Sequence, residues 1–182
     1  MRIAIFDFDG TLFKSPDRPD WWPLQGFWGR VETLSPPLVP ENPGADWWSS
    51  SVVSEAKSAI SDAETYTVLL TGRPTKLGSR IKDLLHGNGL RFDEYHFAGA
   101  GAGGTLGSKL SVLTRLVDQT KDLKLVEMWD DRPEHVEPFE KHLESLGAEF
   151  KVHKVPRVTH DFVGGLENFP SLTTKVAARF SQ

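Results

Sequence analysis

Residues 2–8, RIAIFDF, form a short and almost unbroken apolar run, the pattern of a strand buried on both faces of a parallel sheet. Similar runs recur at Tyr66–Thr71 and Leu125–Trp129, and more weakly at Glu94–Ala98 and Glu149–Val155. Between them, apolar residues fall at helical spacing. Trp47–Ala63 predicts one helix, and residues 74–86 a second, with Pro74 at its first position and Gly87 and Gly89 as stop signals. Leu110, Leu113, Leu116 and Val117 mark one face of a third, with Ser108 as its N-cap. Pro133 opens a fourth, which Gly147 ends. Strands alternating with such helices predict an α/β, Rossmann-like fold of three layers around a central parallel sheet.

Two segments break this rhythm. Residues 14–48 hold seven of the 12 prolines and five of the six tryptophans, so a long irregular insertion follows the first strand. It is too aromatic for a disordered linker and is expected to fold against the body. The second segment, AGAGAGGTLGSK at 98–109, resembles a phosphate loop only superficially. A P-loop needs Gly-Lys-Ser/Thr after its gap, whereas here the order is Gly-Ser-Lys, so the stretch reads as a flexible connection.

Length and composition narrow the setting. The 182 residues are expected to form a single domain, 1–182, with a core of its own. A net charge of −4 creates no global field for nucleic acid or acidic membranes, so any such binding needs a local basic patch. The absence of cysteine excludes disulfides, thiolate catalysis and cysteine-held metals. No apolar stretch approaches the roughly 20 residues that span a bilayer, and the N-terminus shows no signal-peptide pattern. The expectation is a soluble intracellular protein, cytoplasmic or nuclear, without a membrane partner.

The chemistry collects at the strand ends. Ligands of open parallel sheets bind at the carboxyl ends of the strands, near the point where strand order reverses. There the chain delivers Asp7, Asp9, Gly10 and Thr11; then Thr71, Gly72 and Arg73; then Lys109; and finally Asp130, Asp131 and Arg132. Acids, a hydroxyl, a lysine and arginines converging on one crevice suit a phosphoryl group and a divalent cation. Magnesium prefers oxygen ligands, commonly one or two carboxylates with water and substrate phosphate. Asp7 with Asp131, and Asp130 as a further ligand, would supply them; the competing reading of Asp130–Asp131 is helix capping ahead of Pro133. Lys109 would neutralise carboxylate and phosphate together, and Thr71 would hydrogen-bond a phosphoryl oxygen. Asp7 would attack to form an aspartyl-phosphate, while Asp9 protonates the leaving oxygen and then activates water.

These residues, Asp7-Phe8-Asp9-Gly10-Thr11, Thr71-Gly72-Arg73, Lys109 and Asp130-Asp131, resemble the four motifs of the haloacid dehalogenase (HAD) superfamily in order and spacing. The resemblance implies a HAD fold over about residues 2–155. It makes Asp7 the nucleophile, and an acid two residues later marks phosphatases and phosphotransferases. It also assigns Asp9 to the cation through its backbone carbonyl. More narrowly, FDFDGTLF, Trp47–Trp48, VLLTGR, Leu90–Asp93 and Asp131–His135 resemble the HAD domain of Swiss Army Knife RNA repair proteins. WDDR is similar to the phosphatase domains of polynucleotide kinase-phosphatases. That likeness implies phosphate contacts from Arg73 and Gly72, with Arg132 as a further substrate-binding residue.

The expected activity is a Mg2+-dependent phosphatase acting on phosphate ends of RNA or DNA, since no large cap is encoded between the second strand and Lys109. A small-molecule phosphomonoesterase is the alternative among enzymes, and a catalytically silent HAD-like binding module the alternative of another class. The tryptophans read first as packing for the insertion and second as a stacking platform for a base. Arg73, Lys76 and Arg80, three and four residues apart, read first as a solvated helix face and second as a backbone-tracking stripe.

Overall fold

Short apolar runs give five strands in the computed structural model, which describes residues 1–99 and 104–174. They are β1 (Arg2–Phe6), β2 (Thr65–Thr71), β3 (Glu94–Phe97), β4 (Leu125–Asp130) and β5 (Phe150–Lys154). All pair in parallel, in the order β3-β2-β1-β4-β5. The helices are α1 (Ser50–Ser61), α2 (Gly78–Gly87), α3 (Gly104–Gln119) and α4 (Pro133–Ser145).

Strand alternation sorts the core into two faces. Ala4, Phe6, Leu69 and Trp129 pack with Val52 and Ala56 of α1 and with Ile81 and Leu85 of α2. Ile3, Ile5, Val68, Leu70, Val126 and Met128 pack instead with Leu113 and Leu116 of α3 and with Phe139 and Leu143 of α4. The result is the expected three-layer α/β architecture. β1 lies in the middle, and strand order reverses between β1 and β4, which puts the crevice at their carboxyl ends.

Element boundaries depart from the sequence pattern in informative ways. The first helix begins at Ser50 rather than Trp47, because Trp47 and Trp48 turn into the core against Phe13, with ring centroids 5.7 and 4.9 Å away. Pro74 precedes a short 3-10 turn, Thr75–Leu77, and the second helix proper starts at Gly78. Ser108 does not cap α3. The helix is already formed at Gly104, and the Ser108 hydroxyl donates to the Gly104 carbonyl within it. Leu106 and Leu110 extend the apolar face toward that earlier start. The glycine-rich stretch is therefore helical from residue 104 onward, while 100–103 lie outside the described residues.

The insertion is irregular, with 3-10 turns at Phe27–Gly29, Val31–Leu34 and Ala45–Trp47. Its aromatics pack rather than float. Trp22, Leu24, Phe27 and Leu38 form a third apolar cluster with Phe169 and Leu172, from the stretch after β5. That stretch is tied down where the Val158 N–H donates to the Gly10 carbonyl and the His160 N–H to the Lys14 carbonyl, both at 3.0 Å. The His160 ring also stacks on Trp47 at 3.8 Å. The basic stripe dissolves: Arg73 is buried and Arg80 spans to the carbonyls of Leu34, Pro40 and Glu41 in the insertion, leaving Lys76 exposed.

If the insertion and the stretch after β5 form one packed unit, Leu172→Ala lowers the unfolding free energy by about 2–5 kcal/mol. Denaturant unfolding followed by tryptophan fluorescence measures it; an unchanged midpoint would mean that the cluster contributes nothing.

Candidate active site

Alternation places the acids. Asp7 follows Ile3 and Ile5, and Asp130 follows Val126 and Met128, so both point to the side of the sheet covered by α3. Lys109, within α3, reaches both of them. Its Nζ lies 2.7 Å from Asp130 Oδ2 and 3.2 Å from Asp7 Oδ2. All three side chains are buried. Asp131, the next residue, is also buried; its carboxylate takes a 2.7 Å bond from Arg157 Nη1, and Thr11 Oγ1 donates to it at 3.4 Å.

The electrostatics follow from this crowding. Burial pushes the Asp7 carboxyl up to about 7; Lys109 opposes the shift, and the charges of Asp130, Asp9 and Asp131 add to it. Burial also works on Asp130, but the His135 ring, 3.6 Å from its Oδ1, the charge and hydrogen bond of Lys109, and the Arg132 N–H overcome it and hold this carboxyl down to about 2. Burial would lower Lys109, yet Asp7 and Asp130 keep its ammonium above the ordinary lysine range. Burial leaves Asp131 raised despite Arg157.

Asp9 has a separate environment. Gly10 turns the chain with φ +73, and the Asp9 carboxylate leaves the cluster for Arg73, whose Nε lies 2.9 Å from Oδ2 and Nη2 2.7 Å from Oδ1. Arg73 is itself 1% exposed and also donates to Thr33 Oγ1 and the Trp28 carbonyl. Burial would raise Asp9, but the charge and hydrogen bonds of Arg73, with the Ser15 hydroxyl and the charge of Arg132, hold it below the usual carboxylate range. One strand end thus presents two carboxyls with opposite tendencies.

The remaining expected residues lie around these two groups. Thr71 is buried at the end of β2, and its Oγ1 accepts the Arg73 N–H. Arg132 caps the start of α4 with its backbone and donates its N–H to Asp130. Gly72 lines a cleft of about 510 Å³ with Arg18, Phe27, Trp28, Pro74 and Thr105. Asp7, Asp130 and Asp131 each offer an oxygen within 4.8 Å of the others, and all three are buried. Such a set of hard oxygen donors, short of positive charge, fits a divalent cation such as Mg2+. The Asp9 carboxylate stands outside this group, paired with Arg73.

Residues 20–172 match the family described as HAD domain family 1 in Swiss Army Knife RNA repair proteins. The chain belongs to that family. The match starts after the FDFDG stretch and so does not cover Asp7 and Asp9. Among solved structures, the fold resembles a chain of the Pnkp1/Rnl/Hen1 RNA repair complex, with TM-score 0.59 and 15% identity, over 88% of this chain and 43% of that one. This chain therefore spans less than half of that relative. It also resembles the HAD domain of the effector protein Lem4 from Legionella pneumophila, with TM-score 0.55 and 12% identity, over 100% of this chain and 98% of that one. At these identities the likeness carries the fold alone.

Within this HAD domain, residues that no motif singled out also reach the site. Ser15 and Thr33 complete the Asp9–Arg73 pair, and Trp28 lies under the Arg73 guanidinium, 4.7 Å from ring centroid to Cζ. Arg157 joins Asp131 to Asp17. The only sequence signal for Arg157 is its position just past the fifth strand, at the same edge of the sheet.

Arg73→Ala leaves the half-buried Asp9 without its counter-ion. The expected outcome is a loss of about 3–5 kcal/mol of stability, read from chemical denaturation. A loss under 1 kcal/mol would show that the pair is solvent-screened and that Asp9 is held by other groups.

Proposed function

We propose that the protein is a Mg2+-dependent phosphatase that works through an aspartyl-phosphate at Asp7 and acts on phosphate ends of RNA or DNA. The observation that carries this reading is the pairing at one strand end: a buried carboxyl beside Lys109 and two further acids, and a second carboxyl, two residues on, kept apart by Arg73.

Asp7 attacks phosphorus, and the bond from phosphorus to the leaving oxygen breaks as the Asp7–phosphate bond forms. Asp9 supplies the proton that the leaving oxygen needs. Arg73 favours the ionised form of Asp9, and the arriving phosphate dianion works the other way, raising its proton affinity. In the second half Asp9 accepts a proton from water, which attacks the phosphoryl group, releases inorganic phosphate and restores Asp7. Lys109 and the Thr71 hydroxyl hold charge on the phosphoryl oxygens. A Mg2+ held by Asp7, Asp130 and Asp131, with the Asp9 carbonyl, would screen the repulsion between carboxylate and phosphate.

The nucleic-acid part of the reading is supported by the family of RNA repair domains and by the cleft beside Gly72. Thr105, which lines the cleft, precedes Lys109 by one helical turn, so the space opens next to the phosphoryl-binding residues. Trp28, Phe27 and Pro74 give it planar apolar walls suited to a base or ribose.

Asp7→Asn is expected to abolish hydrolysis with the fold retained, and chelation of divalent cations to do the same reversibly. A panel of 3′-phosphate, 5′-phosphate and 2′,3′-cyclic oligonucleotides against nucleotides and sugar phosphates tests the substrate; preference for sugar phosphates by orders of magnitude would overturn the nucleic-acid assignment. Trp28→Ala is expected to raise KM for the preferred oligonucleotide by about fivefold or more while leaving a small chromogenic phosphate ester unaffected. Equal loss on both would place Trp28 in support of Arg73 only.

A further inference from the structure

Charge balance points to a residue outside the motifs. The carboxylates of Asp7, Asp130 and Asp131 share one cluster, and Lys109 contacts the first two. The cation on Asp131 is Arg157, at 2.7 Å. Lys109 is 1% exposed and fixed between its partners, whereas the Arg157 side chain is 37% exposed and open to a ligand from solvent. Its second partner, Asp17, is 61% exposed, and an ion pair so wet is readily exchanged.

The backbone is built to bring this guanidinium in. The Val158 N–H anchors the segment to the Gly10 carbonyl at 3.0 Å. A Cβ on Gly10 would stand 2.5 Å from Asp131 Oδ2 and 3.2 Å from Arg157 Cγ, so glycine at this turn makes room for both. The Arg157 Cζ also lies 5.9 Å from the Trp28 ring centroid, at the same edge as the Gly72 cleft. A guanidinium offers a planar fork of donors that matches phosphate oxygens as well as carboxylate oxygens.

We propose that Arg157 is a phosphate-binding residue of this site, which exchanges the Asp131 carboxylate for phosphoryl oxygens when a divalent cation takes that carboxylate. The proposal rests on the phosphatase reading for the identity of the ligand, but not on turnover. Guanidinium and cation compete for Asp131, while guanidinium and phosphate attract. Removing the charge therefore has opposite effects on the two ligands, a signature that loss of structure does not produce.

The test is calorimetric titration of the wild type, Arg157→Gln, Arg157→Ala and Arg157→Lys, first with Mg2+ alone and then with inorganic phosphate at saturating Mg2+. In the Gln and Ala variants Mg2+ is expected to bind about threefold or more tighter, and phosphate about tenfold or more weaker. The Lys variant keeps the charge and should bind Mg2+ as the wild type does and phosphate with intermediate affinity. Unchanged phosphate binding in the Gln and Ala variants, a weakening of both ligands together, or a wild type that binds neither would overturn the proposal. Because both titrations are read without catalysis, a protein that hydrolyses no ester yet shows the opposed shifts would sink the phosphatase reading and leave Arg157 as a phosphate ligand. Turnover without the opposed shifts would do the reverse.

Discussion

The structure turns on one problem of charge: three carboxylates, from Asp7, Asp130 and Asp131, are buried together at the edge of a parallel sheet. Desolvation alone would make such a cluster unfavourable, and its effect is visible in Asp7, whose carboxyl is pushed up to about 7. Lys109 answers part of it by lying between Asp7 and Asp130. For that lysine to arrive buried, α3 has to pack across the sheet with Leu113 and Leu116 directed into the core one and two turns further on. Sheet order, the helical start at Gly104 and the alternation along β1 and β4 all serve this single juxtaposition.

The opening strand shows how little sequence separates different chemistry. Asp7 and Asp9 are two residues apart and, in a continued strand, would share a face. The turn at Gly10 breaks that equivalence. Asp7 stays with the acids and the lysine, while Asp9 passes to a buried arginine and a serine and is held ionised. The two carboxyls therefore sit in opposed environments, and a single positive-φ glycine separates them.

The aromatic insertion has the structural purpose that its composition suggested. Trp22, Trp47 and Trp48 are core residues, and Arg80 is bound to insertion carbonyls, so most of what resembled a nucleic-acid surface holds the insertion in place. Trp28 differs. It lies at the seam between Arg73 and the Gly72 cleft, where the insertion meets the candidate site. The stretch after β5 completes the same seam with Arg157 and with Phe169 and Leu172 of the third cluster.

Much of this was legible in the chain itself. Apolar runs marked every strand, the third and fifth more weakly, and the acids, Thr71 and Lys109 stood at strand ends or on a helix face because local periodicity is a local property. Helix starts were less legible: Ser108 looked like a cap, but packing of Leu106 and Leu110 carried α3 back to Gly104. What only the tertiary structure decided is which charges neutralise one another. Arg73 to Asp9, Arg80 to the insertion and Arg157 to Asp131 span 64, about 40 and 26 residues respectively, and no motif spacing encodes such pairings. The sequence determined where charge leaves the strands, since that depends on neighbours along the chain; folding determined the partner of each charge, since burial and distance exist only once the layers are packed.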